Sequence, residues 1–100
     1  MEVIQEIMSM IAHGGEAKSL ALSAIQQARE KKFIEAEESL KKSDEALLLS
    51  HNAHTKLLVA EANEEDIHVT VLMMHAGDHL GSAETVRSLA EEIIWLHKEK

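Results

Sequence analysis

The apolar and small residues Val3, Ile7, Met10, Gly14, Ala17, Ala21, Ala24 and Ala28 recur every three or four positions, and no proline interrupts them anywhere in the chain. This period places one side chain per turn on one face of an α-helix, and a stripe kept in phase for about seven turns is incompatible with a strand. The phase survives the Gly14-Gly15 pair, so the spacing predicts a helix that runs through it. Glycine inside a helix costs about 1 kcal/mol relative to alanine, so the pair marks either close approach of a neighbouring backbone or a local break. Close approach is the preferred reading, because the alanine seam that follows allows the same intimacy between helices.

Lys31-Lys32 ends this first helix with positive charge at its carbonyl end, where the helix dipole favours it. A second stripe, Phe33, Ala36, Leu40, Leu47, His51, His54 and Leu58, predicts a helix from Ile34 to Ala62, backed by a solvated face of Glu35, Glu37, Glu38, Lys41 and Lys42. Asn63-Glu64-Glu65-Asp66 breaks the pattern and places acids at the start of a third helix, expected from Ile67 to Lys98. With 4 glycines in 100 residues the punctuation of a β-rich or many-looped fold is missing. The expected fold is therefore all-α, one domain spanning residues 1–100, an antiparallel up-down-up three-helix bundle. A helix of about 28 residues is ~42 Å long, and three such rods enclose a thin core. The Ala/Gly seam and the apolar row through Asp78 are faces beyond the needs of a lone bundle, which predicts self-association.

Composition excludes several functions. There are 10 basic against 18 acidic residues, a formal net charge of -8, which opposes nucleic acid and anionic membrane as partners and favours a basic protein. Phe33 and Trp95 are the only aromatics among Phe, Tyr and Trp, leaving few stacking surfaces for bases or sugars. Without cysteine there is no disulfide, thiolate ligand or thiol nucleophile. The acidic start and the lack of an apolar run near the ~20 residues needed to span a bilayer lead to the expectation of a soluble, cytoplasmic chain.

Chemistry concentrates in Leu72-Met73-Met74-His75-Ala76-Gly77-Asp78-His79-Leu80. His75 and His79 stack one helical turn apart, with Asp78 on the adjoining edge, so the three are expected to cluster. Val71, Met74, Asp78, Gly81, Thr85 and Leu89 form one row, and Leu72, His75, His79, Ala83, Val86 and Ala90 the next. Both rows are expected to lie partly in a core, which would bury Asp78. Of the other histidines, His13 and His97 read as surface or helix-end residues and His68 as a helix start. His51 and His54 sit on the second stripe and either face His75 and His79 across a helix interface or are bonded structurally.

The run His75-Ala76-Gly77-Asp78-His79-Leu80 resembles the phosphorylation motif of the lactose/cellobiose-type enzyme IIA of the bacterial sugar phosphotransferase system, whose usual form is His-Ala-Gln-Asp-His-Leu-Met. Similar features extend through Gly15-Glu16-Ala17, Phe33-Ile34-Glu35-Ala36-Glu37, Ser50-His51-Asn52-Ala53-His54-Thr55 and Met74, covering nearly the whole chain. Gly77 and Gly81 stand where the family usually has Gln and Met, and His54 replaces a common Gln. The resemblance implies a trimer in which nine helices pack together, with a divalent metal ion such as Mg2+ on its axis at Asp78. It also implies phosphoryl relay through His75: phosphate arrives from the histidine of the phosphocarrier protein and leaves to a cysteine of enzyme IIB, for uptake of a β-linked disaccharide.

Elementary chemistry agrees with such a relay. A neutral imidazole is a good nucleophile near pH 7, and its phosphoramidate stays reactive enough to pass the group onward. Mid-helix amides are already bonded, so donors to the phosphoryl oxygens must be side chains: His79, His51, His54 and Thr55, some supplied by a neighbouring subunit. Gly77 removes a side chain beside His75 and gives a partner room. Four other classes compete with this one. The histidine phosphotransfer domain of two-component signalling typically has Lys where Asp78 stands; a metal-binding bundle would use His75, Asp78 and His79 but lacks evident further ligands; an adaptor would merely oligomerise. A metalloprotease lacks its general-base signature.

Overall fold

The computed structural model describes residues 2–100. Three helices, α1 (Val3–Arg29), α2 (Phe33–Ala62) and α3 (Val71–Lys98), account for its regular structure, and the bundle measures 53 × 19 × 18 Å. Cross-helix bonds give the direction of each rod. Ser43 and Ser50 of α2 reach Ala17 and Met10 of α1, while Asp44 and Glu37 of α2 meet Arg87 and Lys98 of α3. Rising numbers on one helix pair with falling numbers on the next, the up-down-up order expected. α1 is the centre of the bundle and packs along both others, whereas α2 and α3 touch each other far less.

The α1 stripe is observed from Ile7 on: Ile7, Met10, Gly14, Ala17, Ala21, Ala24 and Ala28 are all buried on one unbroken helix, and only Val3, in its first turn, is half-buried. The α2 stripe is corrected beyond Leu40. Its buried residues are Ala36, Leu40, Ser43, Ala46, Ser50, Ala53, Leu57 and Ala60, which leaves His51 and His54 on the rim and Leu58 exposed. The reason is a polar pair that faces inward. Ser43 Oγ donates to the Ala17 carbonyl at 2.7 Å and Ser50 Oγ to the Met10 carbonyl at 2.9 Å, so these hydroxyls are satisfied at full burial while letting the helices close up. Ser50→Ala is expected to lower stability by about 1 kcal/mol, since Met10 keeps its carbonyl on the α1 ladder and only one bond is lost. Thermal unfolding followed by circular dichroism reads this as a drop of several degrees.

Both interhelical turns use left-handed residues without glycine. At the end of α1, Lys31 has φ 62°, its N–H bonds to Ala28, and Lys32 N–H bonds back to Gln27 at 2.8 Å. After α2, Glu64 repeats the geometry at φ 64°, with Glu64 and Glu65 bonding to Glu61 and Ala60. These are Schellman terminations, in which two otherwise orphaned carbonyls are satisfied. The expected start of α3 at Ile67 is corrected to Val71. Thr70, extended at φ -119° and ψ 167°, caps the helix by accepting from Met73 N–H at 3.1 Å. The β-branched Ile67 and Val69 before it favour extended backbone, so Glu64, Glu65 and Asp66 belong to the connection and not to the first turn of α3.

The core is thin. Alanines fill most of it, and Ile7 and Met10 are the largest hydrophobic side chains fully buried among the described residues. Many large apolar side chains remain outside, including Ile4, Met8, Leu22, Leu48, Leu58, Val71, Met74, Leu89 and Leu96.

Candidate functional site

α3 carries the site. Ala76, Leu80, Ala83, Ala90 and Ile94 are its buried residues, so this face points into the bundle and fixes where every other side chain leaves the helix. One step of 100° before Ala76 places His75 on the flank toward α1, and one step after it places Gly77 on the flank toward α2. His79 stands one turn above His75. Its Nε2 lies 3.0 Å from His75 Nε2, the ring centroids are 4.4 Å apart, and the planes meet at 82°. His75 is exposed and His79 half-buried.

The Nε2 to Nε2 contact defines a chemical state. One of the two nitrogens carries a hydrogen and donates, and the other holds a lone pair and accepts. When His79 donates, the His75 lone pair is presented at an exposed edge of a rigid rod. An electrophile that takes the lone pair displaces the contact and frees the His79 N–H for its own oxygens.

α1 supports this pair from below. A Cβ on Gly14 would lie 3.4 Å from the His79 carbonyl carbon and oxygen and 3.4 Å from Ser50 Oγ, so the close approach expected of the Gly14-Gly15 pair belongs to Gly14 and is made on the backbone of the site itself. Gly15 has open space around it. Gly14→Val is expected to cost about 1–3 kcal/mol by overpacking α1 against α3. It should also shift the His79 ring signals in NMR relative to those of His97, at the far end of the helix.

The expected cluster of three is corrected to a pair. Asp78 is exposed and forms no hydrogen bond or ion pair with either histidine, or with His51 or His54, among the described residues. Its row is exposed as well: Val71 is 84%, Met74 67% and Leu89 56% accessible. The row is therefore a surface of the single chain and no part of its core. Among the described residues no group of three His, Asp or Glu side chains is placed to hold a metal ion, so a metal-ligand reading of His75, Asp78 and His79 finds no further ligand within the chain. Any cation at Asp78 needs carboxylates from more than one copy.

Nor do His51, His54 and Thr55 face the pair within the chain. His51 Nε2 meets Glu84 Oε1 at 3.4 Å across α2 and α3. His54 borders a cavity of about 100 Å³ whose walls include Leu58, Glu61, Met73 and Gly77, on the opposite flank of α3 from His75. Thr55 lies in a groove between α1 and α2 with Glu6 and Ser9. The α2/α3 seam is pinned lower down by Arg87, which donates to both oxygens of Asp44 at 2.5 and 3.1 Å and to Glu91 at 2.6 Å. The Asp44 hydrogen bond holds the guanidinium pKa above its ordinary value, against the opposing effect of partial burial.

Fold and site together define a small all-α protein that presents an exposed, hydrogen-bonded imidazole on one face of a helical bundle. Comparison with known proteins specifies which. The family described as "PTS system, Lactose/Cellobiose specific IIA subunit" matches residues 5–98. The chain is 46% identical over 88 residues to the galactose-specific EIIA component of Lactococcus lactis, covering 88% of this chain and 76% of that one. It is 35% identical over 98 residues to the N,N'-diacetylchitobiose-specific EIIA component of Escherichia coli, covering 98% and 84%. The cellobiose-specific enzyme IIA of Bacillus anthracis superposes with a TM-score of 0.95 at 38% identity over 99% of this chain and 91% of that one. The IIA(Chitobiose) of the Escherichia coli IIA(Chitobiose)-HPr complex does so at 0.84 and 33%, covering 99% and 96%. The chain belongs to the lactose/cellobiose-specific IIA family of the sugar phosphotransferase system.

Proposed function

We propose that this chain is a phosphoryl relay in which His75 accepts a phosphoryl group from the histidine of a phosphocarrier protein and passes it to a cysteine of an enzyme IIB. The observation that carries the reading is the exposed His75 beside the half-buried His79 at 3.0 Å. In the first step the His75 lone pair forms a new P–N bond as the P–N bond to the carrier's histidine breaks, its electron pair leaving on that imidazole. In the second, a cysteine thiolate forms a P–S bond and His75 recovers its pair. The protein's part is positional: the rigid α3 holds the nucleophile in line, and His79 donates to a phosphoryl oxygen. A phosphocarrier partner is supported by the IIA(Chitobiose)-HPr complex among its structural relatives, and a cellobiose- or chitobiose-type β-linked sugar by the names of its sequence relatives. The sugar itself does not meet this chain. Among the described residues no helix is long and apolar enough to cross a membrane, which fits a relay working in the cytoplasm.

The assembly proposed is a homotrimer around the exposed row of Val71, Met74, Asp78 and Leu89. A thin core and an uncovered apolar row have the same physical remedy, burial between copies. Light scattering is expected to give about three times the 11.1 kDa chain mass, independent of concentration in the micromolar range. A divalent cation, Mg2+ for example, fits at Asp78 only in such an assembly, where carboxylates of different copies would hold it. It would neutralise their mutual repulsion and take no part in transfer. The relay itself is tested by incubation with phosphoenolpyruvate, enzyme I and the phosphocarrier, followed by intact mass. One acid-labile phosphate per chain is expected, and none from an adaptor.

A further inference from the structure

We infer that His54 of one copy completes the phosphoryl site of the next, donating an N–H to the group carried on His75 of its neighbour. The inference rests on the reading of His75 as acceptor in a threefold assembly and goes on to name the second donor.

Within one chain the site is incomplete. A phosphoryl group on His75 presents three oxygens, the N–H groups of mid-α3 are used by the helix, and His79 is the one side chain bonded to His75 among the described residues. The other polar candidates are held elsewhere: His51 is engaged with Glu84, and Thr55 lies in the α1/α2 groove. His54 is different. It is half-buried on the rim of α2, forms no ion pair or side-chain hydrogen bond among the described residues, and borders the space left open at Gly77. A Cβ on Gly77 would meet nothing within 4 Å, so this notch is accessible from outside the chain.

The flanks of α3 decide what the notch faces. With buried Ala76 pointing at the bundle, His75 leaves on the α1 flank and Gly77 on the α2 flank, about 200° apart. The exposed row of Met74, Asp78 and Thr85 lies opposite Ala76 and Leu80. When that row is set on a threefold axis, the α1 flank of each α3 turns toward the α2 flank of the next, because rotation about the axis carries one flank around to the other. The His75-His79 pair of one copy then faces the Gly77 notch and His54 of its neighbour. Glu61, on the same cavity wall, lies about 10 Å further along α2, so the cavity's carboxylate is at the end remote from His54.

The test is subunit mixing. His54→Ala should remain a trimer and accept phosphate from the phosphocarrier about 100-fold more slowly, the usual scale for losing one donor to a developing oxyanion. His54→Gln, which keeps an N–H, should retain most of the rate. His54→Ala chains and His75→Gln chains, each slow or inert alone, are then unfolded together and refolded as mixed trimers, and the two chains are told apart by mass. Roughly half of the His54→Ala chains should regain fast labelling, that being the chance that the next chain brings His54. Slow labelling that mixing does not restore would show that His54 acts within its own chain and overturn the inference, as would unimpaired labelling of His54→Ala. An unlabelled wild-type chain instead strikes at the relay reading, and a monomeric one at the assembly. Both take the inference with them, and each is read before any variant is mixed.

Discussion

His75→Gln is expected to take up no phosphate from the phosphorylated carrier, against one acid-labile phosphate per wild-type chain, while its helical circular dichroism stays unchanged. The structural part follows from exposure: His75 lies outside the bundle and contributes no core contact, so its replacement falls within the usual ±0.5 kcal/mol of a surface change. The chemical part follows from the Nε2 to Nε2 contact, in which His75 is the exposed member. Glutamine has no lone pair of comparable nucleophilicity at that point. His79→Gln should behave differently, labelling at His75 but roughly 100-fold more slowly, because what is lost is a donor and not the nucleophile. Intact mass at timed intervals separates the two. Labelling that persists in His75→Gln and vanishes in His79→Gln would exchange their roles.

Asp78→Leu is expected to leave the proposed trimer intact, raise its melting temperature by several degrees and abolish any drop in melting caused by a chelator. In one chain Asp78 is exposed, so Leu there would alter stability by no more than a few tenths of a kcal/mol. On a threefold axis the balance changes. Two carboxylates about 4 Å apart repel by ~4 kcal/mol at an effective dielectric constant of 20, and three copies need a cation or shared protons to remain together. Apolar side chains of similar size remove the repulsion and the desolvation cost at once, typically a gain of 1–4 kcal/mol. Lower stability in Asp78→Leu with unchanged chelator sensitivity would remove the axial metal from the account. Within its own chain Asp78 has no such partner among the described residues: His51 is engaged with Glu84, and His54 lies on the other flank of α3.

How much was legible without coordinates varies by helix for identifiable reasons. In α1 the stripe from Ile7 to Ala28 is written in apolar letters, and burial follows it residue by residue. In α2 the stripe is hidden where Ser43 and Ser50 are buried, because a hydroxyl reads as surface until its acceptor is known, and the acceptors are carbonyls of another helix. By periodicity alone His51, His54 and Leu58 take the inward positions, whereas Ser50, Ala53 and Leu57 occupy them. Helix ends show the same division. Lys31 and Glu64 take left-handed backbone at positions where glycine is the usual signal, and Thr70 caps α3 behind a run of acids that looked like a helix start.

The functional pair belongs to the legible part. His75 and His79 are one turn apart on any α-helix, so their meeting needs only local geometry, and the motif around them carried the family. What local geometry leaves open is which face of a helix is covered, and by what. Hydropathy marked the row of Val71, Met74 and Leu89 as apolar, but the same preference is met by packing within one chain or between copies, and the sequence has no means of separating them. Tertiary structure decides it: α1 takes the Ala76, Leu80 and Ala83 face of α3, so Asp78 and its row are left outside, and His54 is placed on the opposite flank from His75. Periodicity is a property of one segment, whereas burial is a relation between segments far apart in the chain.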